Sequence, residues 1–365
     1  MTESETTIAA LTGDRVVYRD LQPCDPSLPG LAELRDTLGV PTDMLPRKRD
    51  NAYARVIMAL LNHAQSSRGA APLQILLVLG DTENDRRMAA HLRAVSHLPV
   101  LAFIGVDQND VPPRITWEGD TAEATRWAML DAWHNQVMQR GHIGATPLDW
   151  SRVALLIDID KTLLGPRGRA DAPINAARAD GAFLVAQEVL GVGRPDRATP
   201  LDEPAFRELY ASLCRSEYHS LTLDNQDYTV FVTLLVAGGV LSLDELRQGM
   251  QDGVLTDFTT LLQAVVPRLP AALRDLHTAV HAANATGDPT PFKAFRHAEF
   301  AATVARMTDG RLTFCREVVT TARTLIERGV LCLAASDKPS EASYPTPEQA
   351  ATGLRPLHRT SAQIR

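Results

Sequence analysis

The 365-residue chain is poor in cysteine: Cys24, Cys214, Cys315 and Cys332 stand far apart with no C-x-x-C pair. Such spacing speaks against a disulfide frame or a zinc site and predicts reduced thiols in a cytosolic protein. No apolar run approaches the roughly 18 residues of a membrane span, so no membrane is expected as partner. Positive charge is not in excess either. A formal charge of −7 and a pI near 5.8 argue against nucleic acid or an anionic membrane as the main partner. The opening MTESETTIAAL is acidic and lacks a basic region before an apolar core. It is not read as a secretory signal, and a cytoplasmic location is expected. There is no internal repeat and no low-complexity segment. Leu190-Gly-Val-Gly-Arg ends a helix instead of following a strand, so it is not a dinucleotide loop.

What is present is a set of buried-strand patterns. Val153–Ile157 is a continuous apolar run that ends in Asp158, with Asp160 and Thr162 at alternate positions after it. A run of this kind fits a strand buried on both faces of a parallel sheet. Asp158 and Asp160 share a side if the strand geometry persists past its end. Leu73–Leu79 is a second such run, ending in Gly80-Asp81 with a helix from Asp85 to Val95; Pro99–Gly105 is a third, and Val330–Ala335 a fourth, ending at Ser336. Arg15–Leu21 reads as a short edge strand, Gly30–Gly39 as a short helix, and Tyr53, Val56, Ile57, Leu60 and Leu61 recur at helical spacing just after Lys48.

The first 13 residues read as loosely ordered, 107–120 as irregular, and a helix is expected from about Thr121 to Gln139. From about Pro173 to Met307 the pattern is helical, in segments such as Ala176–Val189, Glu203–Cys214, Tyr228–Val240, Ser242–Gly249 and Asp257–Val266. A helix over Cys315–Arg328 stops at Gly329, and the tail holds one short helix. The fold class read from this is α/β, a Rossmann-like parallel core split by a mostly helical insertion. The expected division is 1–165 and 316–365 for the core and 166–315 for the insertion.

Carboxylates at neighbouring strand ends, a hydroxyl and an ammonium suit phosphoryl transfer. That chemistry needs an in-line nucleophile and cations on the equatorial oxygens. Mg2+ is held by one or two carboxylates and keeps several waters.

The residues carry a resemblance. DIDKTLLG resembles the first motif, D-x-D-x-T, of the haloacid-dehalogenase-like superfamily in its phosphatase branch, and LVLGDTENDRRMA resembles its fourth, a strand followed by G-D-x-x-x-D. RTLIERGVLCLAASDKP is similar to the second motif and PRKRDNAYARVIMALL to the third. The motif order is rotated: Lys48 and Asp81/Asp85 precede Asp158, and Ser336 comes last. Read as a circle the usual order returns, which implies a circular permutation cut after the second motif.

The resemblance implies a Mg2+-dependent hydrolase of a small phosphorylated substrate. Asp158 is the nucleophile, forming an aspartyl-phosphate. Asp160 is the acid and base. Ser336 and Lys48 bind the phosphoryl group, with Arg47, Arg49 and Lys338 the alternatives for the role of Lys48. Thr162 braces the loop. Asp158, the Asp160 main-chain carbonyl and Asp81 hold the metal, with Asp85 a ligand or its neighbour. The helical insertion is the implied cap, and Arg167 and Arg169 are candidates for specificity.

Two other classes stay open: a binding or scaffold protein that kept the fold without turnover, and a phosphoryl-transferring mutase. Taken singly, each motif also has a plain reading. D-x-D makes a solvated turn, G-D-x-x-x-D a helix cap, Ser336 a cap and Lys48 a surface charge. DKTL is also similar to the phosphorylation motif of P-type ATPases, but Leu163 stands where that motif has glycine. The ten histidines are read as surface or core residues.

Overall fold

The computed structural model describes all residues except 1–3, 43, 140, 141, 144, 145 and 192–200; the glycine-bearing stretch 192–194 and the joint that follows it lie outside the described residues. The strands are β1 (Glu5–Thr6), β2 (Val16–Val17), β3 (Ile75–Gly80), β4 (Val100–Gly105), β5 (Ile115–Glu118), β6 (Thr121–Ala124), β7 (His142–Ile143), β8 (Thr146–Pro147), β9 (Val153–Asp158), β10 (Leu331–Ala335) and β11 (Ala362–Gln363). Seven of them form one sheet in the order β2-β10-β9-β3-β4-β6-β5, parallel except for the β5–β6 hairpin. This is the α/β, Rossmann-like core that the apolar runs predict.

The runs are apolar throughout because both faces of the sheet are covered. Every residue of β9, β3 and β10 is buried. On one face, Leu76, Val78, Ala154, Leu156 and Leu333 pack with Tyr53, Val56, Ile57 and Leu60 of the helix Asn51–Ser67 and with Met88 and Leu92 of Glu83–Ser96. On β4, the Phe103 ring centroid lies 6.1 and 6.0 Å from those of Trp127 and Trp133. A buried side chain of this size contributes about 1.5–3 kcal/mol over leaving it exposed.

Side-chain alternation carries this burial to the site. Asp158 continues the row of Ala154 and Leu156, so it emerges on the face covered by Asn51–Ser67. Register sets Asp158 opposite Ala335 of β10, and Ile157 opposite Leu79 of β3. Three strand ends therefore meet at one edge.

Several expectations differ from the fold; the stretch 107–120, read as irregular, holds β5. Residues 4–13 are ordered: β1 pairs with β11 in the tail, and Thr7 caps the helix Ile8–Thr12, which buries Ile8 and Leu11. Thr121 starts a strand, not a helix. Gly119 at φ +59° turns the chain so that β5 folds onto β6, and the helix begins only at Leu130. A left-handed glycine at a tight turn outweighs the helix preference of the Ala and Glu that follow. The tail adds β11 to its short helix Pro347–Ala351.

The chain divides into two compact units, Met1–Asn175 with Thr303–Arg365, and Ala176–Ala302. The second is shorter at both ends than the expected 166–315. Residues 166–175 and 303–315 stay with the sheet because backbone bonds hold them there: Asp107 N donates to Arg167 O at 3.0 Å and Phe314 N to Gln363 O at 2.8 Å.

The second unit is helical throughout its described residues. Its centre is the helix Gln226–Ala237, apolar on nearly all sides, as a helix surrounded by others must be. A buried ion network fixes it: Arg296 Nε donates to Asp227 Oδ2 at 2.7 Å and Arg296 Nη1 to Glu299 Oε2 at 2.8 Å. His277 and His281, four apart on Ala271–Thr286, have ring centroids 6.0 Å apart, and His277 is bonded to Leu262 O at 2.9 Å. No third ligand-type side chain joins them among the described residues. No described helix is long and apolar enough to cross a membrane.

Candidate active site

The site forms where β9, β3 and β10 end. Asp158 is the last residue of β9, and the chain then closes a tight loop: Leu163 N donates to Asp158 O at 3.2 Å, Leu164 N to Ile159 O at 2.9 Å, and Lys161 N to Leu164 O at 2.8 Å. Lys161 sits at φ +66°, a left-handed conformation costing about 1–2 kcal/mol that these surrounding bonds hold in place. Thr162, fully buried, donates from Oγ1 to Asp81 Oδ1 at 3.3 Å, which ties this loop to the end of β3.

Gly80 and Asp81 lead into the helix Glu83–Ser96. Asp85 at its third position closes a capping box with Thr82: its Oδ2 accepts from Thr82 N at 3.1 Å, Thr82 Oγ1 at 2.7 Å and Asp81 N at 3.2 Å. A Cβ on residue 80 would stand 2.3 Å from Asp85 Cβ, so glycine is needed for this approach. The plain reading of G-D-x-x-x-D as a cap thus holds for one oxygen of Asp85. Its other oxygen, Oδ1, accepts from Lys48 Nζ at 2.8 Å.

Lys48 also donates to Asp158 Oδ1. It is 3% exposed, whereas its neighbour Arg49 is exposed and Arg47 half-buried. Lys48 therefore spans the two carboxylates from the loop ahead of Asn51–Ser67.

Asp81, Asp85 and Asp158 each offer an oxygen within 4.8 Å of the other two. Asp81 Oδ2 accepts from Arg167 Nε. Asp158 Oδ2 is buried with no hydrogen-bond partner. Burial pushes the Asp158 carboxyl well above the usual carboxylate range; Lys48 pulls it back, and Asp85 and Asp81 push it further up. Asp81 is pushed up to about 6 by burial and by Asp85, against the pull of Arg167. At Asp85 burial also works upward, but Lys48, Thr82 and the Asp81 N–H together hold it below the usual range. Burial disfavours the Lys48 ammonium, yet Asp158 and Asp85 keep it protonated, well above its usual range. An orphaned carboxylate oxygen in an all-oxygen, electron-rich cluster fits a hard divalent cation.

The remaining sequence candidates lie beside this trio. Asp160 stands outside it, with Oδ2 3.6 Å from Lys338 Nζ, a lysine only 4% exposed. Ser336, 1% exposed, follows the residue paired with Asp158; its N donates to Val17 O at 3.0 Å and its Oγ accepts from Lys338 N at 3.0 Å. Two further groups border the site without having been marked in the sequence: the Tyr53 hydroxyl and Asp337 Oδ1, both buried and without a partner. Tyr53 was visible only as part of a helix's apolar face, since periodicity does not register a hydroxyl.

Comparison with protein families, with curated proteins and with solved structures returns no match to this chain.

Proposed function

We propose that the chain is a Mg2+-dependent phosphomonoester hydrolase of the haloacid-dehalogenase-like type, in circularly permuted form, working through an aspartyl-phosphate on Asp158. The observation that carries this reading is the meeting of Lys48, Asp81, Asp85 and Asp158 at the ends of β9 and β3, with Asp158 Oδ2 left without a partner. The sheet order supports the permutation, because β9 lies between β10, which leads into Ser336, and β3, which leads into Asp81. So does the pairing of Glu5 with Gln363, which brings the two terminal segments together.

Asp158 attacks phosphorus through a carboxylate oxygen, and the ester oxygen leaves in line. Lys48, already on Asp158 and Asp85, neutralises charge on the phosphoryl oxygens. Ser336, whose Oγ accepts from Lys338 N, turns its hydroxyl proton to a phosphoryl oxygen. Asp160 protonates the leaving oxygen and then takes a proton from the water that cleaves the acyl phosphate. Lys338 beside it holds the carboxylate in place. Asp158, the Asp160 main-chain carbonyl and Asp81 would hold Mg2+, with Asp85 supporting them through Lys48. The bound ion would supply positive charge to the phosphoryl oxygens and keep Asp158 ionised. Thr162 positions Asp81 against the loop.

The test is turnover on a broad panel of small phosphomonoesters with Mg2+. Wild type is expected to release phosphate, Asp158→Asn to be inactive, and Asp160→Asn to lose at least about 100-fold, the usual scale of a general acid. Equal inactivity of wild type and Asp158→Asn on every ester favours the binding-protein alternative.

A further inference from the structure

We infer that Arg167 is a resident cation on Asp81 that a divalent ion must displace to enter the cluster, an inference that rests on the metal-site reading above. Its guanidinium donates through Nε to Asp81 Oδ2, while Thr162 takes Oδ1, so both oxygens of this carboxylate are engaged by the protein itself.

The exposure of the two partners is unequal. The Arg167 side chain is 35% exposed, that of Asp81 only 3%. The backbone of Arg167 is held on both sides: its N donates to Lys161 O at 2.7 Å, and its O accepts from Asp107 N at 3.0 Å and Trp127 Nε1 at 3.1 Å. Gly168 follows at φ +77°, where a Cβ would meet Asp107 O at 2.1 Å. Arg169 then locks the turn, donating to Asp107 Oδ2 at 2.7 Å and to both Glu317 oxygens at 2.8 and 2.9 Å. A fixed backbone beneath a side chain one third exposed lets Arg167 swing to water without moving the loop.

Charge favours the exchange. With the three carboxylates ionised, as a bound cation requires, Lys48 and Arg167 leave one negative charge uncompensated. A divalent ion added to the full set leaves one positive charge in excess, and withdrawal of Arg167 restores neutrality. Lys48 cannot leave as readily, being buried between two carboxylates.

The experiment is calorimetric titration of Mn2+ into the full chain, wild type against Arg167→Gln and Arg167→Lys, with thermal melts of each alone and with Mn2+. Arg167→Gln is expected to bind Mn2+ about three- to fivefold tighter, the scale on which a partly exposed ion pair competes. Its melting temperature should rise more on Mn2+ addition than that of wild type. Arg167→Lys, which keeps the charge without the planar fork, should fall between them, and it serves alone if the glutamine variant does not fold. Wild-type binding with no gain in either variant overturns the role of Arg167 and leaves the metal site standing. No Mn2+ uptake by a cooperatively melting wild type or by either variant overturns the metal site and this inference together.

Discussion

Lys48 and Asp158 lie 110 positions apart in the chain, and a buried ion pair joins them in the fold. The same ammonium reaches Asp85 at 2.8 Å, so one cation ties the end of β9 to the helix that follows β3. Both carboxylates and the lysine are almost wholly withdrawn from water. Such a group is costly to leave unpaired.

Lys48→Met should therefore lower stability by about 3–5 kcal/mol at pH 7, the scale of a broken buried pair. Asp85, held below the usual range, contributes stability at pH above its unfolded value and loses it as pH falls through the folded one. The deficit of Lys48→Met should accordingly shrink on acidification. Urea unfolding at pH 7 and at about pH 3, below the unfolded aspartate value near 4, checks this, and a deficit that is constant with pH contradicts it.

Asp81 shifts the other way. Its folded pKa of about 6 lies above that of an unfolded aspartate, so the native state binds the extra proton. Stability from this group is complete below the unfolded value near 4 and falls as pH rises through 6. In metal-free buffer, Asp81→Asn should gain on wild type by roughly 1–3 kcal/mol between pH 4 and pH 7. Parallel stability curves for the two proteins would contradict the placement of Asp81.

The terminal strands give a test of the permutation. Glu5 and Thr6 pair with Gln363 and Ala362, so a short flexible linker can join the ends with little loop-closure cost. A chain so joined and reopened ahead of Leu148 starts with the D-x-D strand. It should fold, melt within a few degrees of the original, and keep phosphate release. Circular dichroism melts and the turnover assay read the outcome; a chain that stays unfolded contradicts the circular reading.

Much of this core was legible because both-face burial writes itself as unbroken apolar runs: Val153–Ile157, Leu73–Leu79 and Val330–Ala335 all became strands of the sheet. The sequence offered Lys48 with Arg47 and Arg49 beside it, and of residues 47–49 Lys48 alone is buried. The hairpin at Gly119 was not, since Thr-Ala-Glu-Ala carries helix-forming residues and only the turn forces it into a strand. Nor were the pairing of β1 with β11 and the contact of Arg167 with Asp81, because each joins residues far apart in sequence without a periodic signal.

The most direct test of the proposed hydrolase is to trap the covalent intermediate it would form. Enzyme quenched during turnover with Mg2+ and substrate, then reduced with borohydride, converts an acyl phosphate on aspartate to homoserine. Peptide mass spectrometry is expected to find homoserine at position 158 and nowhere else. Steady phosphate release with residue 158 still aspartate, or with the label on another side chain, would contradict the account.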